Sequence, residues 1–334
     1  MTNSLPPSAS PKLLFISKGV DSAATRYRAL QFFARWRSAG YDPQHVTASG
    51  GPGSLLRMLK SAKQADVVVV LRKTFPPPLM WLLRRMAKKL LFDFDDAIFC
   101  NTDGSPSATR MSRFVAMIRH CDHVFAGNAF LAQQAARYNP AVTVIPTCVD
   151  VARYRTVAEK PRGFIELVWI GSNSTKKYLA DAMPWLAAAR QALPELRLKI
   201  VADFDFPDSG IPTIPVQWQE QTEAQELASS HIGIAPMRND DWSRGKCALK
   251  LIQYMAAGLP VVSSMSGANA EVTIDGETGL LPSSPVEWVE FIGQLARDEN
   301  MRQRLGEAGR RRVEIDYSIG PVFERIHSVI DGLV

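Results

Sequence analysis

Arg244-Gly245-Lys246-Cys247 lies between a short apolar run, Ile232-Gly233-Ile234-Ala235-Pro236, and a helical pattern that stops at Gly258, before Pro260 opens a second apolar run. The succession reads as strand, polar glycine-bearing loop, helix of about three turns, strand. A loop of this kind brings free helix N–H groups and positive side chains to one point, which suits a pyrophosphate. The plainer alternative is a strand-helix-strand unit with solvated basic residues. Gly171-Ser172-Asn173-Ser174-Thr175 repeats the arrangement between an apolar run, residues 164–170, and a helix that starts with Lys176, Lys177 and Tyr178. Asp93, Asp95 and Asp96 fall inside the apolar frame of residues 91–99. Carboxylates buried there without partners are costly, so Asp95 and Asp96 are expected at a strand end where a partner or a substrate satisfies them. Downstream, Gly267 permits close backbone approach, Asn269 offers donors and acceptors, and Glu271 can accept two sugar or ribose hydroxyls. His120-Cys121-Asp122-His123 is contiguous, and neighbouring residues cannot all converge on one ion, so no metal site is expected there.

Gln253-Tyr254-Met255-Ala256-Ala257-Gly258-Leu259-Pro260-Val261-Val262 is followed by Gly267-x-Asn269-x-Glu271 and then by Asp275-Gly276-x-x-Gly279-Leu280-Leu281. These three segments, in this order, resemble the donor-binding region of glycosyltransferase family 4, the group 1 glycosyl transferases. The resemblance implies an α/β chain of GT-B fold, two Rossmann-like parallel-sheet domains facing a cleft, and a retaining transferase in glycan, lipid-linked sugar or natural-product biosynthesis. It further implies a nucleotide-diphosphate sugar donor on the second domain, with Gly171, Ser172, Lys176, Arg244, Gly245, Lys246, Cys247, Gln253, Gly267, Asn269 and Glu271 around it. No cofactor and no metal would be required. Asp95 and Asp96 would stand on the acceptor side and Lys246 would assist departure of the diphosphate. Around the donor, three positions depart from the family pattern. Gly245 and Gln253 stand where acidic residues are usual, and Ser172 is near the place of an Arg. The resemblance leaves Arg244 or Lys246 to replace that guanidinium, and Asp240, Asp241 or Glu271 to meet the sugar. Two other functions fit the same pattern, a nucleotide-sugar epimerase of GT-B fold and a non-catalytic sugar-nucleotide-binding protein.

The chain that positions these residues has 334 of them and is 46% apolar, enough for two cores. The expected division is an N-terminal acceptor-side domain over 11–153, a linker over 154–163, a donor domain over 164–315, and a final helix over 316–334 that packs back on the first domain. Apolar runs at 12–17, 65–71, 91–99, 121–126 and 141–146 read as strands of the first half, separated by helical patterns at 25–36, 55–63, 79–91 and 108–119. The glycines at 50, 51 and 53 follow no strand in the way a dinucleotide fingerprint requires.

A formal charge of +6 favours anionic partners. Nucleic acid is not among those expected, because no zinc-finger spacing, RNP-like strand or long basic run is present. The acceptor is expected to be a saccharide, a lipid-linked sugar or a small-molecule hydroxyl. Four widely spaced cysteines and a Ser- and Pro-rich leader over residues 1–11, without an apolar centre, suggest a reduced cytoplasmic protein. In the helical pattern at 79–91, Trp81, Leu82 and Met86 can form an apolar side while Arg84, Arg85, Lys88 and Lys89 supply charge. Peripheral contact with an anionic inner membrane face is compatible with that pattern, as is plain packing on a sheet.

Overall fold

The computed structural model describes residues 10–48, 51–207 and 210–334. Nearly all of the Ser- and Pro-rich leader, and Gly50 of the glycine turn, lie outside the described residues. The chain divides into two compact units, one made of residues 1–146 with 323–334, the other of residues 147–322.

Unit 1 runs β1 (Lys12–Ser17), α1 (Ala23–Arg28), α2 (Phe33–Ser38), β2 (Asp42–Thr47), α3 (Pro52–Gln64), β3 (Val67–Leu71), α4 (Pro77–Met86), β4 (Lys89–Phe94), α5 (Ala108–His120), β5 (His123–Ala126), α6 (Ala129–Ala136) and β6 (Val142–Val144). Its six strands are parallel in the order β2-β1-β3-β4-β5-β6. The whole of β3 is buried, as a central parallel strand covered on both faces must be. Pro43 is tolerated because β2 lies at the sheet edge. The chain leaves β1 for β2 on one side and returns to β3 on the other, so the strand ends at Ser17 and Leu71 open a switch point.

Unit 2 runs β7 (Ile165–Ile170), α7 (Lys176–Ala192), β8 (Leu196–Ala202), β9 (Thr213–Gln217), α8 (Glu223–Ala228), β10 (Ile232–Ala235), α9 (Asp241–Arg244), α10 (Leu249–Ala256), β11 (Val261–Ser263), α11 (Ala268–Val272), α12 (Pro285–Arg297), α13 (Glu299–Asp316) and the start of α14 (Ile319–Asp331). Its five parallel strands are ordered β11-β10-β7-β8-β9, with the switch point between β7 and β10. Leu179, Met183 and Leu186 of α7 and Trp288, Ile292 and Leu295 of α12 pack with the strands in one core. From Phe323 onward α14 belongs to unit 1, where Phe323 meets the Trp36 ring at 4.8 Å and Asp331 accepts from the Tyr41 hydroxyl at 2.9 Å.

Three helical patterns resolve differently from the sequence reading. Residues 25–36 form α1, a 3-10 turn over Leu30–Phe32 and α2, with the break at Ala29. The pattern at 79–91 stops at Met86, because Leu90, Leu91 and Phe92 pair with Val68, Val69 and Val70 of β3. A short apolar run satisfies either periodicity, and the unfilled edge of β3 decides it. The helix before Gly258 is α10, shorter than the three turns expected, and the loop ahead of it holds a short helix of its own, α9.

The break after α1 accompanies a buried ion pair. Arg28 enters the core beneath the sheet end, where its guanidinium bonds both oxygens of Asp93 and donates to Ile145 O at 3.0 Å. Burial nevertheless pushes the Asp93 carboxyl up to about 6, with Arg28 opposing. In Arg28→Met the carboxyl loses that support and rises further. A raised folded-state value means a penalty that is absent below the ordinary carboxylate range and grows as pH rises. The variant is expected to lose about 3–5 kcal/mol at pH 8 and clearly less at pH 5. Urea unfolding at both pH values checks this, and equal losses would contradict it.

Candidate functional site

The switch point of unit 2 is held by a single side chain. Tyr254 of α10 accepts from Ile170 N–H at 2.8 Å and donates to Ile234 O at 3.3 Å, so it ties the end of β7 to that of β10. Gly233 makes room for it, since a Cβ there would come within 2.6 Å of the Tyr254 ring. Immediately beyond β7, Gly171 is equally constrained. A Cβ at that position would stand 2.2 Å from the Trp169 ring and 2.7 Å from Lys250 Nζ.

The turn that follows is knit to itself. Thr175 Oγ1 donates to Ser172 O at 3.1 Å and accepts from Ser172 N–H at 3.3 Å, and the chain then enters α7. Lys250, in the first turn of α10, reaches this turn from the other loop. Its ammonium donates to Thr175 Oγ1 at 3.0 Å and stands 3.9 Å over the centre of the Trp169 ring. Burial, together with the Lys246 charge, pushes the pKa of Lys250 well below its ordinary 10.5.

The loop after β10 completes the arrangement. Asp240 caps α9 by accepting from Ser243 N–H at 2.7 Å, and Ser243 Oγ and the Tyr178 hydroxyl, 2.8 Å apart, fasten α9 to α7. Arg244 is partly exposed and lies 3.5 Å from Asp241. The backbone of Arg244 is pressed by Gly267, where a Cβ would be 2.7 Å from Arg244 O, and Gly267 itself has φ +49°. Gly245 ends α9, and Cys247 is buried with Sγ 3.9 Å from Gly245 O. Lys246 Nζ sits 4.3 Å above the Trp242 ring. Ala248 then takes the left-handed conformation, φ +52°, and starts α10 without a side-chain cap. Two helix starts, two lysines and one arginine therefore belong to the loops at the carboxyl ends of neighbouring strands, a setting that favours a multiply charged anion.

The other sequence-selected residues divide. Lys176 turns away, donating to Asp205 O at 3.0 Å with its ammonium over the Phe204 ring. Asn269 is buried with Nδ2 3.4 Å from Ala235 O, at the end of β10. Glu271 is exposed on α11, and its backbone carbonyl accepts from Arg312 at 2.8 Å. Gln253 is committed to a buried network, its amide donating to Glu223 Oε1 at 2.8 Å and to the Tyr154 hydroxyl at 3.2 Å. Tyr154 and Trp218 Nε1 also donate to Glu223, at 2.5 and 2.7 Å. The carboxylate at this place comes from Glu223, and the neutral Gln253 avoids a second charge beside it. In unit 1, Asp95 and Asp96 find their partner within the unit. Arg72 Nε lies 3.1 Å from Asp95 Oδ1, and the same guanidinium bonds Asp96. His120, Cys121, Asp122 and His123 go separate ways, His120 to Ala116 O, His123 to Thr143 and Asp122 to Leu90 N–H.

Lys250, Glu223, Tyr254 and Arg72 were absent from the sequence selection. Lys250 carried a signal, four residues beyond Lys246 in the helix that the loop opens. Glu223 and Arg72 carried none, since tertiary contact alone brings them to Gln253 and to the aspartates.

Residues 165–298 match the family Glycosyl transferases group 1. Glycogen synthase of Mycobacterium tuberculosis is 26% identical over 190 residues, 53% of this chain and 45% of that protein. The matched stretches span less than half the length of the curated relatives. Sucrose-phosphate synthase of Thermosynechococcus elongatus superposes with a TM-score of 0.75 at 15% identity, covering 97% of this chain and 99% of that one. Anabaena HepE, solved with UDP and glucose, superposes with a TM-score of 0.71 at 13% identity, over 96% of this chain and 100% of that one. The fold is GT-B, with two parallel-sheet α/β units.

The Glu223 network yields a stability test. Gln253→Glu sets a second carboxyl against a buried one, so one of the two must hold a proton at neutral pH. The raised folded-state pKa costs on the order of 3 kcal/mol near pH 8, and the cost fades as pH falls toward 5. Chemical denaturation at the two pH values measures it; a variant as stable as the parent at pH 8 would remove Glu223 from this role.

Proposed function

We propose, for a GT-B chain whose residues 165–298 match the group 1 glycosyl transferases, that this protein moves a sugar from a nucleotide-diphosphate sugar to a hydroxyl acceptor. The observation that carries the reading is the switch point of unit 2, where Arg244, Lys246 and the starts of α7 and α10 belong to the loops at two neighbouring strand ends. A diphosphate is the group that uses this charge, and HepE, of the same fold, was solved with UDP.

In this reading the bond between the sugar's anomeric carbon and the diphosphate oxygen breaks while the acceptor oxygen bonds to that carbon. The acceptor proton passes to an oxygen of the departing phosphate, and the products are a glycoside and a nucleoside diphosphate. Substitution on the face that the phosphate leaves retains anomeric configuration. Charge grows on the diphosphate as the bond opens, so positive groups aimed at it stabilise the transition state more than the ground state. Asp95 and Asp96, both on Arg72, supply a fixed polar edge for the acceptor in unit 1 and not a free base.

A screen of UDP-, GDP-, ADP-, TDP- and CMP-sugars by calorimetry and mass spectrometry tests the reading, with Lys246→Ala alongside. Selective binding by the parent is expected, with turnover lowered at least about tenfold in the variant and folding retained. Acceptor-independent change of the sugar would favour an epimerase instead, and no binding to any of the five would reject the donor site.

A lipid-linked acceptor at an anionic membrane face has support of its own. Unit 1 exposes Leu56 and Trp81, 68% and 55% accessible, on α3 and α4, two helices that also carry Arg57, Lys60, Lys63, Arg84 and Arg85. Apolar side chains amid basic ones suit the headgroup boundary of a bilayer. Among the described residues no helix is long and apolar enough to cross one. The protein is expected to sediment with phosphatidylglycerol vesicles and not with phosphatidylcholine ones, and Leu56→Ser/Trp81→Ser to stay in the supernatant. Equal sedimentation of parent and double variant would dismiss this surface.

A further inference from the structure

Lys250 has a placement that stability alone does not explain. Trp169 meets it from β7 and Gly171 and Thr175 from the turn, and the Lys246 charge acts on it from the loop before α10. None of these brings a negative charge, and among the described residues no carboxylate pairs with Lys250. A half-buried ammonium without a counter-ion is destabilising, whereas a methionine of similar length would pack on Trp169 without that cost. The rest of the neighbourhood preserves the arrangement. Gly171 leaves the space the ammonium occupies, and Tyr254, one turn along α10, fixes the helix to both strand ends. The indole N–H of Trp242, beneath Lys246, is also buried without an acceptor among the described residues.

We infer that Lys250 is a binding residue for the donor's diphosphate, reaching the 171–175 turn from α10 and bringing there the positive charge that Ser172 lacks. The inference rests on the donor reading above and adds a property to it. Burial and the Lys246 charge hold the pKa of Lys250 below its ordinary value. A diphosphate supplies the missing negative charge and favours the ammonium, so donor binding takes up a proton from the buffer onto Nζ. The diphosphate diester of a nucleotide-sugar has no group that titrates near neutrality, and the proton is therefore the protein's.

The test is calorimetry at about pH 8 in two buffers of different ionisation heat, with UDP-glucose, GDP-mannose, ADP-glucose and TDP-glucose as probes. The parent is expected to bind one of them with uptake of part of a proton. Lys250→Met is expected to bind it about tenfold more weakly or worse, with the uptake abolished. Melting of the ligand-free proteins provides a readout independent of the donor. A lysine whose folded-state pKa is lowered penalises folding fully at low pH, and the penalty disappears as pH rises to the ordinary 10.5. Lys250→Met is therefore expected to melt above the parent at neutral pH, with the gain shrinking toward pH 10. Binding by Lys250→Met with parental affinity or parental proton uptake overturns the inference and leaves the donor reading standing. A lower melting point, or failure to fold, gives Lys250 a structural role and also overturns it. If the parent binds no probe, the donor reading falls and this inference with it.

Discussion

The Tyr254 hydroxyl is the contact on which the donor side of unit 2 depends. At the switch point β7 and β10 are neighbours, yet the chain departs from each in a different direction, and their ladder covers only Leu167 and Val168 against Ile232 and Gly233. Beyond that ladder Ile170 N–H and Ile234 O would face a gap. One buried hydroxyl satisfies both, accepting from the first and donating to the second. Because the hydroxyl is carried by α10, the same bond sets the height and rotation of that helix, and with them the position of Lys250 in its first turn. Gly233 and Gly171 follow from this arrangement, each vacating the volume that a ring or an ammonium takes.

The legible parts of the chain are those in which local pattern and tertiary need coincide. The buried run 67–71 can be nothing but a central strand, and Gly258, at φ +74°, stops α10 where its position predicts. The loop 244–247 was also readable, because a glycine and two cations between a strand and a helix form a local signal. Patterns that satisfy two periodicities were not readable. Residues 89–94 are apolar enough for a helix face or a buried strand, and only the exposed edge of β3 settles which. Nor were tertiary exchanges readable. Gln253 looks like a lost acid until Glu223, thirty positions earlier, is seen to bring its carboxylate to the same amide. Lys176 looks like the cation of the turn until Asp205 O and Phe204 draw it away and Lys250 takes the place beside Thr175.

The electrostatics of the two sheet ends are opposite in kind. In unit 1 the carboxylates at the end of β4 are held by arginines of the same unit, Asp93 by Arg28 and Asp95 with Asp96 by Arg72 alone, so that end presents fixed carboxylates in excess over their guanidinium partners. In unit 2 the carboxylates near the loops serve other ends, Asp240 as a helix cap and Glu223 as a hydrogen-bond hub, while Lys250 keeps no counter-ion among the described residues. An end of fixed carboxylates, which accept hydrogen bonds, suits a hydroxyl-bearing acceptor. An end whose loops and helix start carry Arg244, Lys246 and Lys250 suits a diphosphate that gains charge as it leaves.

Backbone strain marks the same two places. Among the described residues, Arg72 and Ala248 are the non-glycine residues with positive φ, +51° and +52°. Each such residue costs on the order of 1–3 kcal/mol and persists only where its surroundings leave no relaxed alternative. Arg72 is held by its N–H on Asp93 O and by its side chain on two aspartates, so relaxing the backbone would release both carboxylates. Ala248 is held between buried Cys247 and the first turn of α10, and relaxing it would turn that helix off Tyr254's two partners. A glycine at either position would remove the strain and also the stiffness, since the left-handed bend would then be one state among several. The cost at Arg72 and Ala248 is therefore tied to fixed geometry, which electrostatic stabilisation requires before the reacting charges appear.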